Sequence, residues 1–377
     1  MALVIARASD TVASLARRFS VSEQELRESN GLSDPQRLTE GLALWVPLGE
    51  NEGGPERLIQ LCAFPTLRPD EARPWLESGS TLALFAGRLG PGGALLPCAD
   101  RALFDEARRA HCAPLLCLSN LDERGTFSAE LAHALLAKTD AWDALWANLQ
   151  RLLAEWGCGG LLLHMQLLHP FDREAFCAFV HHLAAKLHGS GRALLVALAP
   201  RESEQDPDPA CAGQDYARLG RDADWVAVLS YDWGHACSAP QPISPLDRVR
   251  SAIRCAAREV PLRKLLLGLS NYAYDWTLPH RSAGPARLMT TAAAMNLAVS
   301  RGVPVVYDAP SAASRFEYTD ADHRRHRVWF EDLRSVRARL SLVEELGLGG
   351  VSLWTANFPN PMLLAALRER FTPLRLL

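Results

Sequence analysis

The stretch GGLLLHMQLLHP, residues 159–170, holds the two side chains on which the chemistry of this chain turns. Leu161, Leu162 and Leu163 suit a strand covered on both faces. His164 and Gln166 follow two residues apart, so both point to one side of the extended chain. An imidazole can carry a proton, whereas an amide can bind a ligand but has no proton to give at useful strength. A strand running out into solvent would end the same way, so the pair gains meaning only if other strand ends also gather polar side chains. They do. The other apolar runs end in Asn120, Tyr231 and Asp232, Asn271 and Tyr272, and Trp354. This set is aromatic and amide-rich, and it suits a sugar better than a phosphate or a metal. Aromatic faces stack on pyranose rings, while amides and hydroxyls bond their oxygens. No glycine-rich phosphate loop follows a strand and no His/Asp/Glu cluster has metal-ligand spacing, so neither a metal nor a cofactor is expected.

Those ends belong to eight apolar runs of strand length: LIQLCAF (58–64), TLALFAG (81–87), APLLCLS (113–119), GGLLLHMQ (159–166), ALLVALAP (193–200), DWVAVLSY (224–231), KLLLGLS (264–270) and GGVSLW (349–354). Amphipathic helical patterns separate most of them, at 101–110, at 129–157 with a break, at 172–188 and at 244–258. Parallel strands are buried on both faces and therefore read as continuous apolar runs. The pattern predicts an α/β fold, a (β/α)8 TIM barrel, whose chemistry sits at the C-terminal ends of the strands. The long gap between the seventh and eighth runs leaves room for an inserted α+β subdomain at about 272–330.

Residues 1–48 read as a separate unit. LVIA is a short strand, and VASLARRF places Val12, Leu15, Ala16 and Phe19 on one helical face, with Ser9 or Asp10 as the expected cap. SVSEQELRESN is a second helix in which Ser22 and Glu25 have the spacing of a capping box. A turn and a strand ended by Pro47 complete a strand–helix–helix–strand order. The polar, glycine-rich segment 49–56 reads as a linker, which leaves 57–377 for the barrel.

Bulk properties narrow the function. Apolar residues at 48% and charged residues at 22% are ordinary for a globular chain. A formal net charge of −3 without a long basic run gives no electrostatic case for nucleic acid. Nine cysteines, with no C-x-x-C pair, argue for reduced thiols and against a disulfide framework or a zinc knuckle. Arg7 and Asp10 interrupt any apolar leader, and no stretch approaches the roughly 18–20 apolar residues that span a bilayer. Synthesis and folding in a cytoplasm, without a membrane partner, are expected.

SDTVASLARRF, LRESNGL and LTEGLALWVP, with Asn-Gly-Leu and Gly-x-x-Leu-x-Val-Pro landmarks, resemble the LysM domain, a module for N-acetylglucosamine polymers. Ser9 departs from the family's usual Gly before Asp-Thr. Members hold the sugar between the loop after the first strand and the loop after the second helix, here Ser9–Val12 and Asn30–Ser33. The resemblance thus implies Ser9, Asp10, Thr11, Asn30, Gly31 and Leu32 as glycan contacts, through backbone groups aimed at N-acetyl groups. Without the resemblance, Asp10 and Asn30 read as a cap and a turn residue.

The rest of the chain resembles glycoside hydrolase family 18, in particular its spore-cortex branch, where LysM modules precede a barrel acting on peptidoglycan fragments. VAVLSYDWG resembles the sixth strand with its Tyr-Asp, and RKLLLGLSNYAYDWTLP the seventh with its continuation. VWFEDLRSVRARLSLVEELGLGGVSLW resembles the last helix and eighth strand, and APLLCLSNLDERGTFSAELAHALL the third strand and its loop. In that family the fourth strand ends in D-G-x-[DN]-[LIV]-D-[FW]-E, and hydrolysis is substrate-assisted. The Glu protonates the glycosidic oxygen while the 2-acetamido oxygen attacks the anomeric carbon. The Asp two residues earlier orients the acetamide and stabilises its developing positive charge.

Here Gly159, His164 and Gln166 stand at the three acidic positions. A missing general acid costs about 10²–10⁴ in rate, and a protonated His164 would repel the charged intermediate. The two losses act on one step and need not multiply. The resemblance implies Tyr231 as partner of the acetamide carbonyl and Trp354 as the floor under the sugar. Asn120, Asp232 and Tyr272 are then further substrate contacts, and Asp275 a supporting group. His169, Asp172 and Glu174 follow the strand as groups that could substitute, although Asp172 and Glu174 read more simply as helix N-terminal charges.

The expected function is binding of an N-acetylglucosamine-containing glycan, peptidoglycan of the spore cortex or a chitin-like polymer, with little or no hydrolysis. An active N-acetylglucosaminidase using another acid, and a structural spore-layer protein, stay open. The resemblance implies deposition on a spore from inside the mother cell, while an ordinary cytoplasmic protein fits the residues equally well. Oligomeric state is open, as is whether His164 or Met165 fills the cleft.

Overall fold

The apolar runs become strands because each alternates its side chains between two dry environments, a barrel interior and a layer of helices. The computed structural model describes residues 2–33, 38–48, 53–90, 94–97, 101–203, 205–206, 208–280 and 284–376. Residues 49–52 of the expected linker lie outside the described residues.

The front module runs β1 (Ala2–Ile5), α1 (Val12–Phe19), α2 (Glu23–Glu28) and β2 (Ala43–Val46), with β1 and β2 antiparallel. The cap of α1 is neither Ser9 nor Asp10 but Thr11, whose hydroxyl accepts from the Ser14 amide while the Ser14 hydroxyl accepts from the Thr11 amide. Asp10 instead accepts from the Arg7 amide one turn back. Ser22 and Glu25 form the capping box of α2 that their spacing predicts.

The barrel strands are β3 (Glu56–Ala63), β4 (Thr81–Leu89), β6 (Ala113–Ser119), β7 (Gly160–His164), β8 (Ala193–Leu198), β9 (Trp225–Val228), β10 (Leu265–Ser270) and β16 (Gly350–Trp354). They pair in parallel in that order, and β16 returns to β3 to close the ring. A short β5 (Leu95–Pro97) pairs antiparallel with β4 outside the ring.

Around the ring lie α3 (Pro69–Leu76), α4 (Ala102–Arg109), α5 (Ala129–Leu136), α6 (Thr139–Glu155), α7 (Arg173–His188), α8 (Pro209–Ala212), α9 (Tyr216–Asp222) and α10 (Leu246–Ala256). Alternation sorts the strand residues. Cys62, Phe85, Leu115, Leu162, Leu195 and Leu266 pack inside the ring, while Leu61, Leu84, Leu116, Leu161, Leu163 and Leu267 pack outward with the helices. Because Leu162 points inward, so does His164.

Between β10 and β16 the chain builds a second layer: β11 (Tyr272–Leu278), β12 (Arg287–Thr290), α11 (Thr291–Arg301), β13 (Val306–Asp308), β14 (Ala313–Thr319) and β15 (Arg325–Phe330). Its five strands are antiparallel in the order β12-β11-β15-β14-β13. Asp275 knots this sheet together. Its carboxylate accepts from the Tyr318 hydroxyl at 2.8 Å and from Arg287 at 3.0 Å, and it lies 2.9 Å from His326 Nδ1. Two helices, α12 (Leu333–Leu346) and α13 (Pro361–Arg370), complete the outer layer.

The front module is docked on the insertion. Thr39 donates to the Val303 carbonyl and the Val305 amide donates to the Glu40 carbonyl. Gly41 is required at that seam, because a Cβ there would stand 1.9 Å from the Val305 oxygen.

Candidate active site

His164 ends β7 inside the barrel with 4% of its surface exposed. Its ring stands among Phe127, Phe85 and Trp354, at centroid distances of 5.1, 5.5 and 6.0 Å. Nδ1 has no hydrogen-bond partner among the described residues. Burial without a compensating partner pushes the imidazole down to about 4. At neutral pH His164 is uncharged, so the repulsion allowed for in the sequence reading does not operate. Met165 points into the outer core and takes no space in the cleft; the His164 ring does.

Gln166 lies two residues beyond, past the end of the strand, and is also buried. Its amide donates to the Ala197 carbonyl of β8 at 3.2 Å. Asn120 fixes its backbone from both sides, accepting from the Gln166 amide at 3.0 Å and donating to the Gln166 carbonyl at 2.8 Å. The Asn120 amide also donates to the Ser128 carbonyl. Asn120, expected at the sugar, thus has its side chain engaged with main chain. Asn271 is engaged likewise, with the Thr355 amide and with the Thr355 and Phe358 carbonyls.

Tyr231 and Tyr272 pack together with Ile243, and Trp354 and Tyr274 lie against that cluster. Gly268, on the inward side of β10, makes room for this arrangement. A Cβ there would meet the Val228 oxygen at 2.5 Å and the Tyr231 ring at 3.0 Å. The Tyr272 hydroxyl donates to Asp232 Oδ1 at 2.6 Å. Asp232 reaches solvent in a left-handed conformation, φ 62°. Partial loss of hydration raises its carboxyl above the usual range, against the opposing bond from Tyr272. Trp354 is half-buried and edges onto Phe64 at 5.1 Å and Phe85 at 5.4 Å.

The acidic groups downstream of β7 have partners elsewhere. Asp172 lies 2.8 Å from His133 Nδ1, and Glu174 pairs with Arg218. His169 stacks on Phe171. Gly159 would accept a side chain, its nearest neighbour to an added Cβ being Ala113 Cβ at 3.4 Å.

Three aromatic residues of the site escaped the sequence reading. Phe64 and Phe85 are two residues beyond inward-facing Cys62 and Ala83, so strand alternation carried the signal. Phe127 sits in a loop with no such signal. Gln60, fully buried beneath them, accepts from the Ser352 hydroxyl and the Cys62 thiol.

In the front module, the Asn30 side chain is buried and bonds the Leu26 carbonyl and both backbone groups of Trp45. Leu32 is a core residue, and Ser9 is exposed. The loop after α2 meets α11 rather than open water. Asn296 accepts from the Ser33 amide at 3.0 Å and hydroxyl at 3.1 Å, and donates to the Gly31 carbonyl at 2.8 Å.

A closed parallel barrel carrying this insertion and this mouth defines the class. The chain belongs to glycosyl hydrolases family 18, whose family model matches residues 126–358. The LysM domain model matches residues 5–47. A LysM module is therefore joined to a family 18 barrel, in a chain closely related to cortical fragment-lytic enzymes. It is 29% identical to the cortical fragment-lytic enzyme of Bacillus anthracis, with 98% of each chain covered. It is 33% identical to that of Bacillus subtilis over 258 residues, covering 68% of this chain and 60% of the other. The crystal structure of the Bacillus cereus spore cortex-lytic enzyme SleL superposes with a TM-score of 0.92 at 25% identity, over 99% of each chain.

Proposed function

We propose that this chain holds an N-acetylglucosamine-containing glycan, such as spore-cortex peptidoglycan, and hydrolyses it little or not at all. The observation that carries this reading is the pair formed by inward-facing His164 at the end of β7 and buried Gln166 two residues beyond it. Substrate-assisted hydrolysis needs a proton for the glycosidic oxygen and an anion beside the acetamide. Gln166 is an amide and His164 is neutral, so neither need is met there. The binding half of the reading is supported by the packing of Tyr231 and Tyr272 against the half-buried Trp354 ring, with the Tyr272 hydroxyl donating to Asp232. The division into a LysM module (1–48), a linker (49–56) and a barrel (57–377) belongs to the same proposal. So do Ser9, Asp10, Thr11, Asn30, Gly31 and Leu32 as module contacts through their backbone groups, and association with the spore. The names of the relatives, cortical fragment-lytic and spore cortex-lytic, support both the glycan and the place.

Calorimetric titration of the full chain with N-acetylglucosamine oligomers tests the reading. Saturable binding that Trp354→Ala weakens, without release of reducing ends, is the expected result. Absence of binding would favour a structural spore-layer role instead. A second reading, hydrolysis with a displaced acid, would use Asp232, the carboxyl that stands past the end of the sixth barrel strand and accepts from the Tyr272 hydroxyl at 2.6 Å. It requires turnover that Asp232→Asn abolishes.

A further inference from the structure

We propose that Phe171, backed by His169 and His133, is a sugar-stacking platform on the rim of the barrel mouth, extending the glycan site beyond the cleft. The inference rests on the glycan reading above and adds a subsite to it. The loop Leu167–Asp172 follows Gln166 directly. Phe171 is 70% exposed, more than any other large apolar side chain among the described residues, and Leu167 of the same loop is 46% exposed. A single exposed leucine needs no explanation. A flat ring held in one orientation does.

The ring is held on two sides. His169 stacks on one face at 4.8 Å and 16°, and His133 meets its edge at 5.4 Å and 87°. Among the described residues no other ring meets Phe171, and 70% of the residue stays exposed. The support beneath is rigid. His133 Nδ1 lies 2.8 and 3.1 Å from the two oxygens of buried Asp172. Leu168 is anchored in the core, against a Gly213 where a Cβ would stand 2.5 Å from the Leu168 Cβ. Asn120 ties this rim to the cleft, since one amide bonds both Gln166 and the Ser128 carbonyl at the start of the helix bearing His133.

An exposed ring buttressed by His169 suits the apolar face of a pyranose. A protein partner fits less well, because two apolar side chains fall far short of the roughly 1,000 Å² that a specific interface buries.

The test is titration of the full chain with N-acetylglucosamine trimer and hexamer, for wild type, Phe171→Ala and Phe171→Trp. Phe171→Ala is expected to weaken hexamer binding by about three- to tenfold and leave trimer binding unchanged, while Phe171→Trp retains the wild-type affinity for both. Two results would overturn the platform: Phe171→Ala binding hexamer like wild type, or losing trimer and hexamer equally. Wild type binding neither oligomer would overturn the glycan reading itself, and the platform with it. The side chain is exposed, so an unchanged melting temperature in Phe171→Ala is expected and separates loss of contact from loss of fold.

Discussion

Acid should destabilise this protein through His164, and replacing that residue with phenylalanine should remove that part of the sensitivity. The imidazole falls from its ordinary value of 6.5 to about 4 because burial among Phe85, Phe127 and Trp354 removes its water. Its folded value lies below its unfolded value, so the unfolded chain binds the extra proton first. The stabilisation is complete above about pH 6.5, declines as the pH falls, and is exhausted once the pH drops below about 4. At about 1.4 kcal/mol per pH unit, the loss attributable to this one group is on the order of 3 kcal/mol. His164→Phe keeps a ring in the same aromatic setting and has no proton to bind. Urea unfolding of both proteins at pH 7, 5.5 and 4 reads the difference, and other titrating groups cancel because they are shared. The stability gap between variant and wild type should widen by about 3 kcal/mol from pH 7 to pH 4 in favour of the variant. A gap that stays constant would refute the claim that His164 is buried neutral.

Other outcomes follow from named contacts. Asn120→Ala removes three hydrogen bonds around Gln166 and Ser128. At about 1 kcal/mol each, it should cost roughly 3 kcal/mol by denaturant unfolding and also weaken oligomer binding by calorimetry. Asn296→Ala frees the Gly31 carbonyl and the Ser33 amide. Hydrogen exchange at Ser33 should accelerate and affinity for N-acetylglucosamine oligomers should rise, whereas unchanged exchange would mean that the docked loop does not depend on Asn296.

Much of this architecture is legible in the amino-acid sequence, for a physical reason. A strand dry on both faces must be apolar throughout, so APLLCLS appears as β6 over Ala113–Ser119 without adjustment. The fourth run overshoots: β7 stops at His164, because the Gln166 backbone bonds the Asn120 side chain instead of a neighbouring strand. At the start of α1 several oxygens compete for the same orphan amides, and which one wins is decided by sub-ångström geometry that residue types do not encode. Asn30 reads both as a sugar contact and as a turn residue, and the bonds of its side chain to the Trp45 backbone, 15 positions on, have no local pattern. The contact of Ser33 with Asn296, 263 positions apart, has no local pattern at all. Nor does the neutrality of His164, which depends on three aromatic rings supplied by other parts of the barrel.

The central claim is that the cleft holds glycan but lacks its acids, and one comparison addresses it directly. Release of reducing ends from N-acetylglucosamine oligomers and cortex fragments would be followed for wild type beside a His164→Asp, Gln166→Glu double substitution. The account predicts no release by wild type above a protein-free control, and measurable release by the double variant, which restores an acid at each of the two positions. Turnover by wild type at the rate of an ordinary glycosidase would contradict it.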